Sequence, residues 1–173
     1  MKTDINNFSK PVLFSLKVYA DLLIKWQDKI NLVSKNSMKD LWTRHIQDSA
    51  QLYKLLPEPI ENRYIYDLGS GAGFPGMVLA IMGRKEMLLC ESNSKKCAFL
   101  KEVAVATSTN VDIVNIKAEK LPKNKGLVVV SRAFASLEKL LDLSIPLLKE
   151  NGICVFPKGK TWKSEIIKAE KKY

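Results

Sequence analysis

The segment Asp67-Leu68-Gly69-Ser70-Gly71-Ala72-Gly73-Phe74-Pro75-Gly76 constrains the fold more than any other part of the chain. It follows the apolar run Tyr64 to Leu68 and precedes a helical pattern from Pro75 to Met82. Glycine adopts positive φ at little steric cost and lets a backbone approach a ligand closely. Four glycines between Gly69 and Gly76 carry an entropic cost that a plain turn does not justify. In an open α/β sheet, such a strand-to-helix loop lies where ligands bind, beyond the carboxyl ends of the strands.

The rest of the chain agrees with that placement. After residue 60, apolar runs alternate with helical stretches. The expected strands are Tyr64 to Leu68, Glu86 to Cys90, Val111 to Ile116, Leu127 to Val130 and Gly152 to Phe156. The expected helices are Pro75 to Met82, Ser94 to Thr107, Ser136 to Leu148 and Trp162 to Lys171. This alternation predicts βαβ units around a parallel sheet. Before residue 60 the pattern is helical. Pro11 opens a first helix whose apolar positions include Leu13, Leu16, Ala20 and Leu23. Ser37 is read as the cap of a second helix running to about Leu56, ended by Pro57-Glu58-Pro59. The expected division is a helical extension over 1–60 and a parallel-sheet domain over 61–173, forming one compact unit.

Composition bounds the partners. With 173 residues and 46% hydrophobic content, the chain can bury one full core. No apolar run is long enough to span a bilayer, and Met1 to Lys10 lacks a signal-peptide core. A cytoplasmic protein is the expectation. Cys90, Cys97 and Cys154 show no metal-ligand spacing, so no metal site is expected. The net charge of +10 favours polyanions. Yet only Arg44, Arg63, Arg84 and Arg132 are arginine, so a lysine-rich composition explains the charge equally well.

Two cofactors fit the loop. Gly71, Gly73 and Gly76 satisfy a dinucleotide fingerprint, and Glu91 stands at the distance expected of a ribose-binding acid. The triplet Gly69, Gly71 and Gly73 behind Asp67 instead suits S-adenosylmethionine. A carboxylate at Asp67 repels a pyrophosphate and attracts the cationic methionine portion of that methyl donor. A small NAD-dependent oxidoreductase is the alternative, although no Tyr-x-x-x-Lys pair follows downstream.

Further motifs carry a resemblance. Trp26 and Asn31-Leu32, the block Arg44-His45-Ile46-Gln47-Asp48-Ser49, the sequence Gly73-Phe74-Pro75-Gly76, the block Ser131-Arg132-Ala133-Phe134-Ala135-Ser136 and the pair Lys158-Gly159 recur in one pattern. The chain resembles the bacterial 16S ribosomal RNA guanine-N7 methyltransferase family, also called the glucose-inhibited division protein B family. That resemblance implies a class I S-adenosylmethionine-dependent methyltransferase fold, Rossmann-like, with an N-terminal helical extension. It implies methyl transfer to N7 of a guanine, conventionally nucleotide 527 in the 530 loop, with 16S rRNA or the small subunit as partner. It assigns Gly69 and Phe74 to the cofactor, Ala118-Glu119 to its adenine end and Arg132 to its site. Asp67, Gly71, Gly73 and Glu91 join that set from the loop reading. Arg44, His45 and Lys158 are candidates for RNA contact, and Arg132 and Lys158 for positioning. The family also continues into a closing strand pair, so a truncated, non-catalytic RNA-binding remnant is a further alternative. A monomer is expected.

N7 of guanine carries an in-plane lone pair, so attack on a sulfonium methyl group requires no prior proton loss. The chain lacks an Asn/Asp-Pro-Pro-aromatic motif and a Pro-Cys nucleophile. His45, the only histidine, is therefore read as structural or RNA-positioning. Arg44 and Asp48 have the spacing of an i, i+4 ion pair. Lys163, Lys168, Lys171 and Lys172 are read as a solvated helix face, and Trp26 and Trp42 as core.

Overall fold

A computed structural model describes residues 8–132 and 134–173. Ala133 and most of the polar N-terminal stretch lie outside the described residues. Five parallel strands form the sheet: β1 (Tyr64–Leu68), β2 (Met87–Cys90), β3 (Asp112–Val114), β4 (Gly126–Val130) and β5 (Leu148–Val155). Their spatial order is β3-β2-β1-β4-β5. The order reverses at β1 and β4, which opens a crevice beyond their carboxyl ends.

Helices cover both faces. Those relevant to the site are α1 (Lys10–Gln27), α2 (Lys35–Met38), α3 (Asp48–Ala50), α4 (Gly76–Ile81), α5 (Ser94–Ala106), α6 (Leu137–Ser144) and α7 (Trp162–Ala169). Side-chain alternation along the central strands explains the two cores. Ile65, Leu89, Val128 and Val130 face a cluster built with α1, α4 and α5. Tyr66, Leu68, Leu88, Cys90 and Val129 face a second cluster with Ala118, Leu121 and Leu147. Strands buried on both faces read as continuous apolar runs, as in Leu127-Val128-Val129-Val130.

The N-terminal helices belong to the first core. Leu16, Tyr19 and Leu23 of α1 are fully buried there. Phe99 of α5 meets Tyr19 at 6.2 Å and Trp26 at 5.8 Å between ring centroids. Trp26 also donates from Nε1 to Glu102 at 3.0 Å, so it anchors α1 on α5 instead of facing solvent as a platform.

Three expectations are corrected. The second helix is not continuous from Ser37. Ser34 caps α2 by accepting from the Ser37 backbone N–H, and Ser37 lies inside that helix. After it come a π-helical segment over Trp42–Gln47, then α3, then a 3₁₀ segment over Gln51–Leu55. The wider π turn changes the angular spacing, and Arg44 and Asp48 form no ion pair among the described residues. The helix expected from Ser136 to Leu148 ends at Ser144, because Pro146 has no N–H to continue it. Ser136 does cap it, accepting from Lys139. Finally, β5 starts at Leu148, well before Gly152. A bulge with Asn151 at φ 64° absorbs the added residues while Gly126 pairs Leu148 and Val128 pairs Ile153.

Phe99 packs against Tyr19 and Trp26 of α1 from within the buried cluster that the N-terminal helices share with the sheet. Phe99→Ala is expected to cost about 3–5 kcal/mol through lost burial and a residual cavity. A lowered urea midpoint with an unchanged denaturant slope is the measurement that checks it.

Candidate functional site

The loop after β1 is shaped by two acidic residues at the ends of neighbouring strands. Asp67 points to the α1/α4 side of the sheet and is fully buried. Its Oδ2 accepts from the backbone N–H of Gly76 at 3.0 Å, nine residues on. Glu91 follows β2, and its Oε2 accepts from the Gly71 N–H at 2.9 Å while Oε1 accepts from Asn93 at 2.7 Å. The chain is thus gripped at two points as it turns from β1 into α4.

The glycines serve two different needs. Gly69, Gly71 and Gly73 adopt φ of 66°, 57° and 95°, where L residues are strained. Gly76 has no such requirement. There an added Cβ would stand 2.5 Å from Asp67 Oδ2, so the absence of a side chain admits the carboxylate. Gly73 is also crowded: its added Cβ would meet Met77, the Tyr19 hydroxyl and Leu100, each within 3.0 Å. Tyr19 donates its hydroxyl proton to the Ala72 carbonyl, so α1 supports the loop from below.

Around this loop the structure brings together most of the residues singled out above. A cleft of about 450 Å³ is lined by Gly69, Gly71, Glu91, Ala118, Glu119 and Phe134. Ala118 and Glu119 arrive on a 3₁₀ turn, Ala118–Lys120, beyond β3. An adjoining cleft of about 580 Å³ runs past Arg44, His45, Gly71, Phe74 and Arg132. Asp67 stands behind the loop, not on the cleft surface. Its Oδ1 is buried and has no hydrogen-bond partner among the described residues.

Beyond β4, Ser131 anchors the backbone by donating from Oγ to the Leu68 carbonyl at 2.8 Å. Arg132 crosses to the N-terminal helices. Its Nη1 donates to the Arg44 carbonyl at 2.8 Å, and its Nη2 to Nδ1 of His45. The π-helical segment presents both acceptors on one side. His45 stacks on Phe74 at 4.8 Å between centroids, and the Arg132 guanidinium stands 5.1 Å from the same ring. Burial first, and then the charges of Arg132 and Arg44, push the His45 imidazole down to about 4. His45 is therefore a neutral acceptor for Arg132 near pH 7, with Nε2 buried and unpartnered.

Lys158 is engaged inside the chain. Its Nζ pairs with Glu165 at 2.6 Å and donates to the Ala135 carbonyl at 3.1 Å. Glu165 also accepts from the Leu137 N–H at 3.0 Å. Lys158 and Glu165 together clamp the entry of α6, the segment that carries Phe134. Arg44 is exposed, and its side chain makes no ion pair among the described residues. Sequence reasoning missed Tyr19, Phe134 and Asp48 as parts of this region. Tyr19 could have been noticed as a polar-tipped aromatic on the apolar face of α1. The other two stood inside the blocks Arg44 to Ser49 and Ser131 to Ser136 that carry the resemblance, without a site role of their own.

Burial pushes the Asp67 carboxyl up to about 7, against the opposing effects of the Gly76 and Ser70 hydrogen bonds. The folded chain thus holds this proton more tightly than the unfolded chain, whose aspartates titrate near about 4. The associated stability is present below about pH 4 and is lost as pH rises through about 7. Wild-type melting temperature should therefore fall over that window relative to Asp67→Asn, with the two profiles parallel above it. Thermal melts at stepped pH check this, and parallel profiles throughout would contradict the buried-proton assignment.

Comparison with known proteins places the chain. The family model for rRNA small subunit methyltransferase G matches residues 13–173. Ribosomal RNA small subunit methyltransferase G of Paramagnetospirillum magneticum is 46% identical over 165 residues, 95% of this chain and 80% of the relative. Its namesake from Gluconobacter oxydans is 43% identical, covering 89% of this chain and 78% of the relative. Among solved structures, a putative S-adenosyl-L-methionine-dependent methyltransferase from Methanococcus maripaludis aligns with TM-score 0.54 at 15% identity, covering 79% of this chain and 69% of that one. Precorrin-6y C5,15-methyltransferase from Geobacter metallireducens aligns with TM-score 0.55 at 16% identity, covering 82% and 73%. Those structures share the class I methyltransferase fold, and the sequence relatives show that this chain belongs to the rRNA small subunit methyltransferase G family.

Proposed function

We propose that this protein transfers a methyl group from S-adenosylmethionine to N7 of a guanine in 16S ribosomal RNA. The observation that carries the reading is the built loop of a family member: Gly69, Gly71 and Gly73 at positive φ, gripped by Asp67 and Glu91.

The residues present fit the methyl donor. Glu91, Ala118 and Glu119 line the cleft suited to its adenosine, and Gly71, where an added Cβ would meet no side chain within 4 Å, leaves the backbone open beside them. Asp67, whose buried Oδ1 is unpartnered, adds negative potential behind the loop only once it loses its proton at about pH 7, and a cation above it favours that ionised form. Arg132, fixed by Arg44 and His45, offers a planar cation for a carboxylate. When bound, S-adenosylmethionine supplies a methyl group on a sulfonium centre.

Attack by N7 needs orientation and charge placement, with no proton removed beforehand. His45 agrees with that demand. The imidazole is committed through Nδ1 to Arg132 and stays neutral, so its part is to hold the guanidinium in place.

Three outcomes are expected. Calorimetry should show binding of S-adenosylmethionine and S-adenosylhomocysteine and no comparable binding of NAD. Mass spectrometry of small subunits or 16S rRNA treated with enzyme and cofactor should find one N7-methylguanine; absence of any transfer to particles, rRNA or assembly intermediates would sink the substrate assignment. Arg132→Ala should raise the cofactor KM roughly tenfold or more, as expected for loss of a charged hydrogen-bonding partner of about 1.5–3 kcal/mol. Full methylation by that variant at low cofactor concentration would remove the role.

A further inference from the structure

A third cavity, of about 560 Å³, opens between the π-helical segment and the β4–α6 connection. Its walls include Asp48, Gln51, Arg132, Phe134, Ala135 and Lys158. It touches the adenosine-side cleft at Phe134, which lines both. It touches the loop-side cleft at Asp48 and Arg132, which also line both. A molecule in this cavity therefore lies beside the cofactor site and shares Arg132 and Phe134 with it.

The chemistry left free in the cavity is selective. Lys158 is neutralised by Glu165, and Arg132 is oriented by the Arg44 carbonyl and His45 toward the cofactor side. The Asp48 carboxylate makes no hydrogen bond or ion pair among the described residues, although it lies near enough to Arg132 to stabilise the charged guanidinium. The Phe134 ring lies across Gly69 and is 42% exposed. A cavity whose lysine is paired with Glu165 and whose open groups include a carboxylate and a ring face favours a hydrogen-bond donor over a phosphate. It suits a base that offers two adjacent donors.

Guanine has such an edge. N1–H and the N2 amino group point the same way and match the two oxygens of a carboxylate, whereas adenine, cytosine and uracil present no such pair. Its N7 lies on the opposite, imidazole side of the purine. A carboxylate holding the Watson–Crick edge thus leaves N7 facing away. Single-stranded RNA bases are commonly splayed out, stacked on aromatic rings and read at that edge.

We propose that Asp48 reads the N1–H and N2 amino donors of the target guanine, with Phe134 stacking on one face of that base and leaving its N7 edge open to the cofactor. This rests on the guanine-N7 reading above. Asp48 acts here as a specificity residue, and the Lys158–Glu165 clamp holds the Phe134 segment in place.

The experiment uses small subunits reconstituted with 16S rRNA carrying guanosine or inosine at the methylated position. Inosine keeps N7 and N1–H and lacks the N2 amino group. For wild-type enzyme, inosine should lower kcat/KM roughly tenfold. Asp48→Asn should lose a similar factor on guanosine, and its guanosine-to-inosine ratio should fall to about one. Its affinity for S-adenosylmethionine by calorimetry should stay within about twofold of wild type. Phe134→Ala should raise the RNA KM, with recovery in Phe134→Tyr and none in Phe134→Leu. If Asp48→Asn melts below the assay temperature, Asp48→Ser gives the same ratio. An unchanged guanosine-to-inosine ratio overturns the proposal. A loss of cofactor affinity matching the loss of transfer also overturns it, and assigns Asp48 to the cofactor. Failure of wild-type enzyme to make N7-methylguanine would instead remove the reading beneath it.

Discussion

The hydrogen bond from the Gly76 N–H to the buried Asp67 carboxylate organises the site. It connects the last turn of β1 to the first residue of α4, across the whole glycine loop. A buried carboxylate with one unpartnered oxygen is costly, and the proton it retains reflects that cost. The arrangement persists because several features depend on it together. Gly76 lacks the Cβ that would collide with the carboxylate. Glu91 holds Gly71 from the next strand. Tyr19 closes the underside through Ala72. The N-terminal extension is thereby part of the site's foundation, since Tyr19 comes from α1 and packs on Phe74 and Phe99.

The sheet was legible in the sequence because burial on both faces leaves a simple trace. Val128, Val129 and Val130 cannot be read any other way once a parallel sheet is assumed. The glycine loop was legible for a similar reason: positive φ restricts the choice of residue at Gly69, Gly71 and Gly73. The segment from Ser34 to Leu55 was not. Its residues suit an ordinary helix, and Ser34 and Ser37 are equally good caps in isolation. What breaks the helix is tertiary. The Arg44 carbonyl and His45 Nδ1 meet an arginine more than eighty residues away, and the π turn brings both to it. The early start of β5 was hidden likewise, since Lys149 and Glu150 look like loop and fall, with Asn151-Gly152, in the register shift between the paired residues Leu148 and Ile153.

The same distinction separates the residues of the site. Glu91, Ala118 and Glu119 follow strand ends, so the order of the strands is enough to gather them beside the loop. Arg132 also follows a strand, yet its orientation depends on the N-terminal segment. Lys158 is basic and near the site, but its position gives no hint that Glu165 neutralises it. Charge in a sequence is visible; the partner that commits it is a property of the fold.

That commitment changes what the net charge of +10 means. Arg84 is buried and donates to the Tyr53 and Leu56 carbonyls. Arg132 and Lys158 serve the loop segments around the clefts. Among the described residues, groups without an ion pair face the clefts in both signs: Arg44, Lys96 and Lys117 beside Glu119, and Asp48 in the cavity past Phe134. Attraction to a polyanion falls to Arg44, Lys96 and Lys117 at the cleft edges and to exposed lysines over the surface, where counterion release makes association strong, general and sensitive to salt. Phosphate contacts of that kind position an RNA without reading it. Selectivity must then come from a cavity that a phosphate does not favour and a base can enter. Lysines spread over the surface, and a cavity in which Asp48 stands open beside the Phe134 ring, would let one small domain hold a long RNA loosely and still choose a single nucleotide within it.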